Sequence, residues 1–318
     1  MKKLLYMLAA LVLVLCLAAC GGDSCKEDGK LQIIASSFPG YDLARAAAGD
    51  LAEVSLLLPP GTESHSYEPT PRDILNVQNC DLFIYLGGES DAWVDTILNS
   101  LDTPVKTLKM MDCVTTLEEE PLEGMEEIHD GHDHGEGQVV EVDEHVWTDP
   151  ANAVKITERI AAELSAMDAA NGAAYPANAA AYVQELQALD GEIRAFLATV
   201  TDPVMVFGDR FPLRYFAEAY DITCYAAFPG CSTQTEPSAA TIAYLTDLVR
   251  EKKLTTVYYI EFSNHLVADS IAEATGVKTA LFHSCHNVTR QELESGVTYL
   301  SLMRDNLETL KETMQSIK

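Results

Sequence analysis

Short apolar runs alternate with longer stretches of helical periodicity along most of this chain. Leu31–Ser36, Glu53–Leu58 and Asp81–Tyr85 are brief, apolar or β-branched, and bounded by turn residues or amphipathic segments, which predicts strands. The second half repeats the scheme with Val204–Phe207, Ile222–Tyr225, Thr255–Ile260 and Lys278–Phe282. Helical patterns fall between them, as in Ser238–Lys252, where Ile242, Leu245, Leu248 and Val249 share one face. Strands alternating with helices predict parallel sheets covered by helices. Two such sets predict an α/β chain of two parallel-sheet lobes.

Between the sets, Tyr182, Leu186, Leu189, Ile193, Phe196 and Val200 recur at steps of three and four. They mark one stripe of a single helix over Pro176–Val200, with its proline in the first turn. Such a helix spans roughly 35–40 Å and restrains hinge motion between the lobes it joins. A helix near Asn152–Met167 precedes it, with Asp149-Pro150 as cap and start. A final helix carries Tyr299, Leu300, Met303, Leu307, Leu310 and Met314. The expected organisation is a first lobe over 31–173, a linking helix over 174–200 and a second lobe over 201–318.

The N-terminus adds a compartment. Lys2 and Lys3 precede an apolar run from Leu4 to Leu17, too short for a comfortable membrane span and suited to a signal peptide over 1–19. The run ends in Leu17-Ala18-Ala19-Cys20-Gly21, which resembles a bacterial lipobox whose cysteine is acylated. The alternative is a plain signal peptide with an incidental cysteine. Residues 20–30 are small and polar, a tether, so the expected location is extracytoplasmic and lipid-anchored to the cell membrane.

Composition narrows the function classes. Hydrophobic residues make up 47% of 318 positions and the formal net charge is −28, a folded body with an acidic surface that argues against nucleic acid and against a polybasic membrane patch. Beyond Cys16 and Cys20, six cysteines remain: Cys25, Cys80, Cys113, Cys224, Cys231 and Cys285. None forms a CxxC pair, which argues against a thiolate zinc cage; a bridge from Cys231 to Cys285 or Cys224 is the expected disulfide. No HExxH, GxSxG or nucleophile beside a base is present, so no enzymatic activity is expected.

Metal-capable side chains lie where ligands bind in open parallel sheets, beyond the carboxyl ends of strands. His65 follows the second strand, Asp209 follows Val204–Phe207, Glu261 follows Thr255–Ile260, and His283 and His286 follow Lys278–Phe282. His145 lies in the connection before Asp149-Pro150. Separately, residues 118–137 hold nine acids and three histidines, His129, His132 and His134. That composition predicts a loop that attracts ions such as zinc, copper or nickel. His265, inside the predicted helix Asn264–Thr275, is expected to be structural.

Four stretches carry a family resemblance. PPGTESHSYEPTPRD (Pro59–Asp73) and DEHVWTDP (Asp143–Pro150) resemble the first and second metal loops of the zinc/manganese solute-binding proteins, the cluster A-I or zinc-uptake-type components of ABC importers. Glu236-Pro237-Ser238 and Leu302–Leu307 (LMRDNL) are similar as well, so the resemblance covers nearly the whole mature chain. It implies two lobes joined by a long rigid helix with one ion between them. It also implies a monomer, an ABC permease with its ATPase subunit as partner, and Zn2+ as cargo, with Mn2+ and a surface-adhesin role as alternatives. His65 and His145 carry over as ligands.

The chain departs from the family pattern at three places. Glu144 stands where proline is usual; Val206–Pro212 holds no histidine; and His283-Ser284-Cys285-His286 replaces the usual aspartate and serine. His283 is the expected third imidazole, His286 the alternative, with water, Glu261 or Asp209 as the fourth partner. Three imidazoles favour zinc over manganese.

Overall fold

The apolar runs become two sheets of the same winding. The structure is a computed structural model that describes residues 29–119, 122, 142–230 and 237–314. The first lobe runs β1 (Leu31–Ala35), α1 (Phe38–Ala48), β2 (Ala52–Leu56), α2 (Pro71–Gln78), β3 (Leu82–Tyr85), α3 (Ala92–Ser100) and β4 (Thr107–Lys109). Its strands are all parallel, in the order β2-β1-β3-β4. Helices α4 (Pro150–Met167) and α5 (Ala174–Leu197) follow. The second lobe runs β5 (Val204–Phe211), α6 (Arg214–Tyr220), β6 (Thr223–Pro229), α7 (Ala239–Glu251), β7 (Thr256–Tyr259), α8 (Leu266–Thr275), β8 (Lys278–Leu281), α9 (Arg290–Ser295) and α10 (Tyr299–Thr313). The order β6-β5-β7-β8 repeats that of the first sheet.

Central strands bury residues on both faces, as parallel sheets under two helical layers require: Leu82, Phe83 and Ile84 are all fully buried. Two strands differ from expectation. β4 was not predicted, because only Leu108 of its three residues is buried. β5 extends to Phe211, past a register irregularity between Phe207 and Arg210 after which pairing with β6 resumes. That extension carries Asp209 and Arg210 to the sheet's carboxyl end.

α5 spans 24 residues, about 36 Å, and buries Leu186, Leu189, Ile193 and Leu197. It stops before Val200, the last residue of the predicted stripe. One contiguous buried cluster contains Ile33 and Ile84 of the first sheet, Leu186 and Ile193 of α5, and Phe207 and Phe282 of the second lobe. A buried polar clasp ties the same three parts together. Tyr182 of α5 donates to Asp42 Oδ2 of α1 at 2.6 Å, and the Tyr299 N–H of α10 donates to that oxygen at 2.9 Å. Burial pushes the Asp42 carboxyl up, against these hydrogen bonds. Opening the lobes would break this shared core and clasp, so only small motions are compatible with the fold. Among the described residues no helix is long and apolar enough to cross a membrane.

Candidate metal centre

The carboxyl ends of the two sheets meet at a cavity of about 30 Å³, room for water-sized species. Glu63 and His65 reach it from the loop after β2, Arg210 from the end of β5, Glu261 from the end of β7, and His286 from the loop after β8. His145 enters from the connection before α4. A single 3-10 turn over Ser64–Ser66 presents His65, and Ser64 Oγ pins that turn by donating to the Ser90 carbonyl at 2.9 Å.

His145 is the most firmly mounted imidazole. Its backbone N–H donates to Asp143 Oδ1 at 2.8 Å, and its Nδ1 lies 3.2 Å from the same oxygen. A carboxylate on Nδ1 assigns the proton to that nitrogen and leaves the Nε2 lone pair for a metal. Burial pulls the His145 pKa down, but the charge and hydrogen bond of Asp143 outweigh it and hold it above the usual value. Gly230, just past β6, lets the backbone approach this ring: a Cβ there would lie 3.2 Å from His145 Cε1 and 2.8 Å from the Phe211 carbonyl oxygen.

His286 completes a ring of three imidazoles, with centroids 6.4 Å from His65 and 6.1 Å from His145. Its N–H donates to Glu261 Oε1 at 3.2 Å, and its carbonyl accepts from Phe38 N of the first lobe, also at 3.2 Å. Its Nε2 is buried without a hydrogen-bond partner. Burial and the neighbouring His145 and His65 push the His286 pKa down to about 3; burial likewise lowers that of His65. A neutral imidazole with an unpaired buried nitrogen, facing two others, suits a cation that accepts nitrogen lone pairs.

The structure brings His286, rather than His283, to the cavity. His283 Nδ1 accepts the Cys285 N–H at 2.8 Å, while its backbone is clamped by Asn306 through bonds of 2.7 and 2.8 Å. The cause is the tight turn between the two histidines, where Cys285 adopts φ 63°. Asp209 likewise does not line the cavity: its carboxylate accepts Arg210 N at 2.8 Å and Ile260 N at 3.2 Å. Glu261 does line it, yet its oxygens accept the Ser284 N–H at 2.7 Å, the Ser284 hydroxyl and the His286 N–H. It organises the turn that carries His286. His265 occupies the N-cap position of α8 and its Nδ1 lies 2.8 Å from Asp269 Oδ2.

Two acids and an arginine escaped the sequence reading as site residues. Donor atoms of His65, Glu144 and His145 all lie within 4.8 Å of one another. The Glu144 carboxylate accepts the Ser90 N–H at 2.9 and 3.2 Å. It occupies space that exists because residue 88 is glycine, where a Cβ would fall 1.9 Å from Glu144 Oε2. The available signal was the acid standing where the family pattern has proline. Glu63 pairs with Arg210 across the lobes at 2.7 Å, a contact with no local sequence signature; burial raises the Glu63 pKa, but Arg210 outweighs it and holds it low.

Further hydrogen bonds join the lobes around the site. Asn287 Nδ2 donates to the Pro59 and Thr62 carbonyls, both at 2.9 Å, and Gly61 N donates to the Val288 carbonyl at 2.9 Å. Cys80, Cys113, Cys224 and Cys285 are free thiols, so the expected bridge through Cys224 or Cys285 is not formed. His129, His132, His134, Cys20, Cys25 and Cys231 lie outside the described residues.

Comparison with known proteins bears on this geometry. The family model described as zinc-uptake complex component A, periplasmic, matches residues 33–313. The zinc-binding lipoprotein AdcA of Streptococcus pneumoniae is 36% identical over 315 residues, covering 98% of this chain but 61% of its own length, so the chain spans about three fifths of that relative. The high-affinity zinc uptake system protein ZnuA of Bacillus subtilis is 31% identical over 320 residues, covering 98% of this chain and 97% of that one. Among solved structures, the Zn(II)-bound ZnuA-like domain of Streptococcus pneumoniae AdcA superposes with a TM-score of 0.72 at 32% identity, covering 90% of this chain and 99% of that domain. Across its two matching lobes, the chain belongs to the zinc-uptake complex component A family.

Proposed function

We propose that this chain is the extracytoplasmic solute-binding component of an ABC importer and that it captures Zn2+ between its lobes. The observation that carries the reading is the convergence of His65, His145 and His286, from both lobes, on one small cavity. Three nitrogen donors with a carboxylate in reach make a set typical of four-coordinate zinc. Glu144 is the carboxylate assigned to the fourth position, on its proximity to His65 and His145.

Family membership supports the transport role, and the names of its zinc-binding relatives support the cargo. Cys20 would carry the lipid that tethers a monomeric body to the membrane, beside the permease and its ATPase subunit. The acidic segment with His129, His132 and His134 would raise the local concentration of ions. Its described flanks lie close to a proposed ligand: Glu118 pairs with Val142, and Asp143 N donates to the Leu117 carbonyl at 2.9 Å, two residues from His145. With so little room for hinge motion, release would rely on the membrane partner disturbing the loops that cross between the lobes.

The test is a competitive titration of Zn2+ against Mn2+ on the purified protein. One tightly held zinc that manganese does not displace is expected. Preference for manganese, or failure to bind either metal, would refute the reading.

A further inference from the structure

The Glu63–Arg210 pair places a permanent cation in the wall of a cavity built for a cation. Glu63 lies two residues before His65 in the same loop, and both side chains line the cavity. Its carboxylate is nonetheless engaged by Arg210 Nη2 at 2.7 Å. Arg210 is mounted firmly: its N–H donates to Asp209 Oδ1 at 2.8 Å, and the other oxygen of Asp209 holds the Ile260 N–H. Asp209 is thus explained as the residue that sets Arg210 at the strand end. The arginine side chain is 17% exposed and that of Glu63 38%, so the pair sits where the cavity opens to solvent.

A guanidinium does not deprotonate at any working pH, and so can neither become a ligand nor release its partner by losing charge. It therefore competes for Glu63 under all conditions. Without that competition, Glu63 would stand as a further carboxylate beside the imidazoles, in addition to Glu144 within 4.8 Å of His65 and His145 and to Glu261, whose oxygens are taken up by the Ser284 turn, and the donor set would shift from nitrogen-rich towards oxygen-rich. Oxygen donors suit Mn2+, whereas imidazoles suit Zn2+. We infer that Arg210 is a specificity-determining residue: by holding Glu63 in an ion pair across the lobes, it keeps that carboxylate off the metal and biases the site against Mn2+. This rests on the reading of the cavity as the transport site.

The test measures Zn2+ and Mn2+ affinities by competition on the purified full-length protein and on Arg210→Gln, Glu63→Gln and the double variant, each checked for folding by a thermal melt. Arg210→Met, which retains an unbranched apolar stem to fill the same wall, serves if Arg210→Gln does not fold. Removing the arginine charge raises affinity for both metals through space, so the deciding quantity is their ratio. Arg210→Gln is expected to narrow the zinc-over-manganese preference by about tenfold or more. In the Glu63→Gln background the same change should leave the ratio where Glu63→Gln alone puts it, because the carboxylate that Arg210 restrains is gone. An equal gain for both metals would reduce Arg210 to a distant charge and overturn the proposal, as would a narrowing that persists without Glu63. Zinc binding by the unaltered protein, read in the same titration, separates these failures from failure of the transport reading; an unaltered protein that binds neither metal overturns both.

Discussion

The indole N–H of Trp147 donates to the carbonyl of Ser284 at 2.8 Å. Trp147 stands two residues after His145 and Ser284 two residues before His286, so one buried hydrogen bond sets the spacing of two imidazoles from different lobes. Tyr299 extends the chain of contacts, its hydroxyl donating to the Trp147 carbonyl at 2.6 Å. Trp147→Phe keeps most of the buried ring but leaves the Ser284 carbonyl without its partner. The expected loss is about 1–3 kcal/mol of stability, read from urea unfolding of the metal-free protein.

His286 and His283 are separable by substitution. His286→Ala removes one of three imidazole donors and is expected to lower zinc affinity on the order of 100-fold or more, about 2.8 kcal/mol. His283→Asn keeps a side-chain acceptor near the Cys285 N–H and is expected to cost less than about tenfold. Competition against a zinc-chelating dye distinguishes them, and the reverse ranking would return His283 to the ligand set.

Asp143 acts through His145. Asp143→Asn removes the charge that fixes the proton on His145 Nδ1, and loss of such an orienting partner typically costs about 10–100-fold in metal affinity. The same titration reads it. The distinguishing sign is a His145 pKa that falls in the metal-free variant, measured by NMR, because the group that raises it is gone.

Acidification should weaken zinc binding gradually. His286 and His65 are held below the usual histidine range and are already neutral near pH 7, so protons compete chiefly at His145, whose pKa is raised. Affinity should fall by about tenfold per pH unit below that pKa, the signature of one proton; a threefold steeper slope would mean that all three imidazoles titrate together. Stability of the metal-free protein follows the other two. Below the unfolded value of 6.5 the unfolded chain takes up protons that folded His286, at about 3, refuses. This contribution makes stability fall as pH drops from 6.5 towards 3, while His145 acts in the opposite sense. Urea midpoints at pH 7.5 and pH 5 would show which prevails, and the buried His286 and His65 are expected to outweigh His145.

Much of the scaffold was legible because its strands are apolar runs separated by helical periodicity. The seven predicted strands are all present, and Leu186, Leu189 and Ile193 mark the buried stripe of α5. β4 was not legible: a three-residue edge strand that buries only Leu108 leaves no pattern above noise. At the site, the strand-end rule found His65, Glu261 and His286, and the second metal loop supplied His145. The choice between His283 and His286 was beyond it, since two residues in one loop differ only through the backbone of Cys285 at φ 63°. The Glu63–Arg210 contact joins positions 147 apart in sequence and depends on how the lobes meet. Glu144 could have been singled out, since an acid replacing a proline beside a ligand adds donor chemistry.

The most direct test of the central claim is anomalous diffraction at the zinc absorption edge from crystals of the zinc-loaded protein. A single strong peak at bonding distance, about 2.0–2.1 Å, from imidazole nitrogens of His65, His145 and His286 is the predicted result. A peak bonded to His283, or one that leaves His286 Nε2 without a metal, would contradict it.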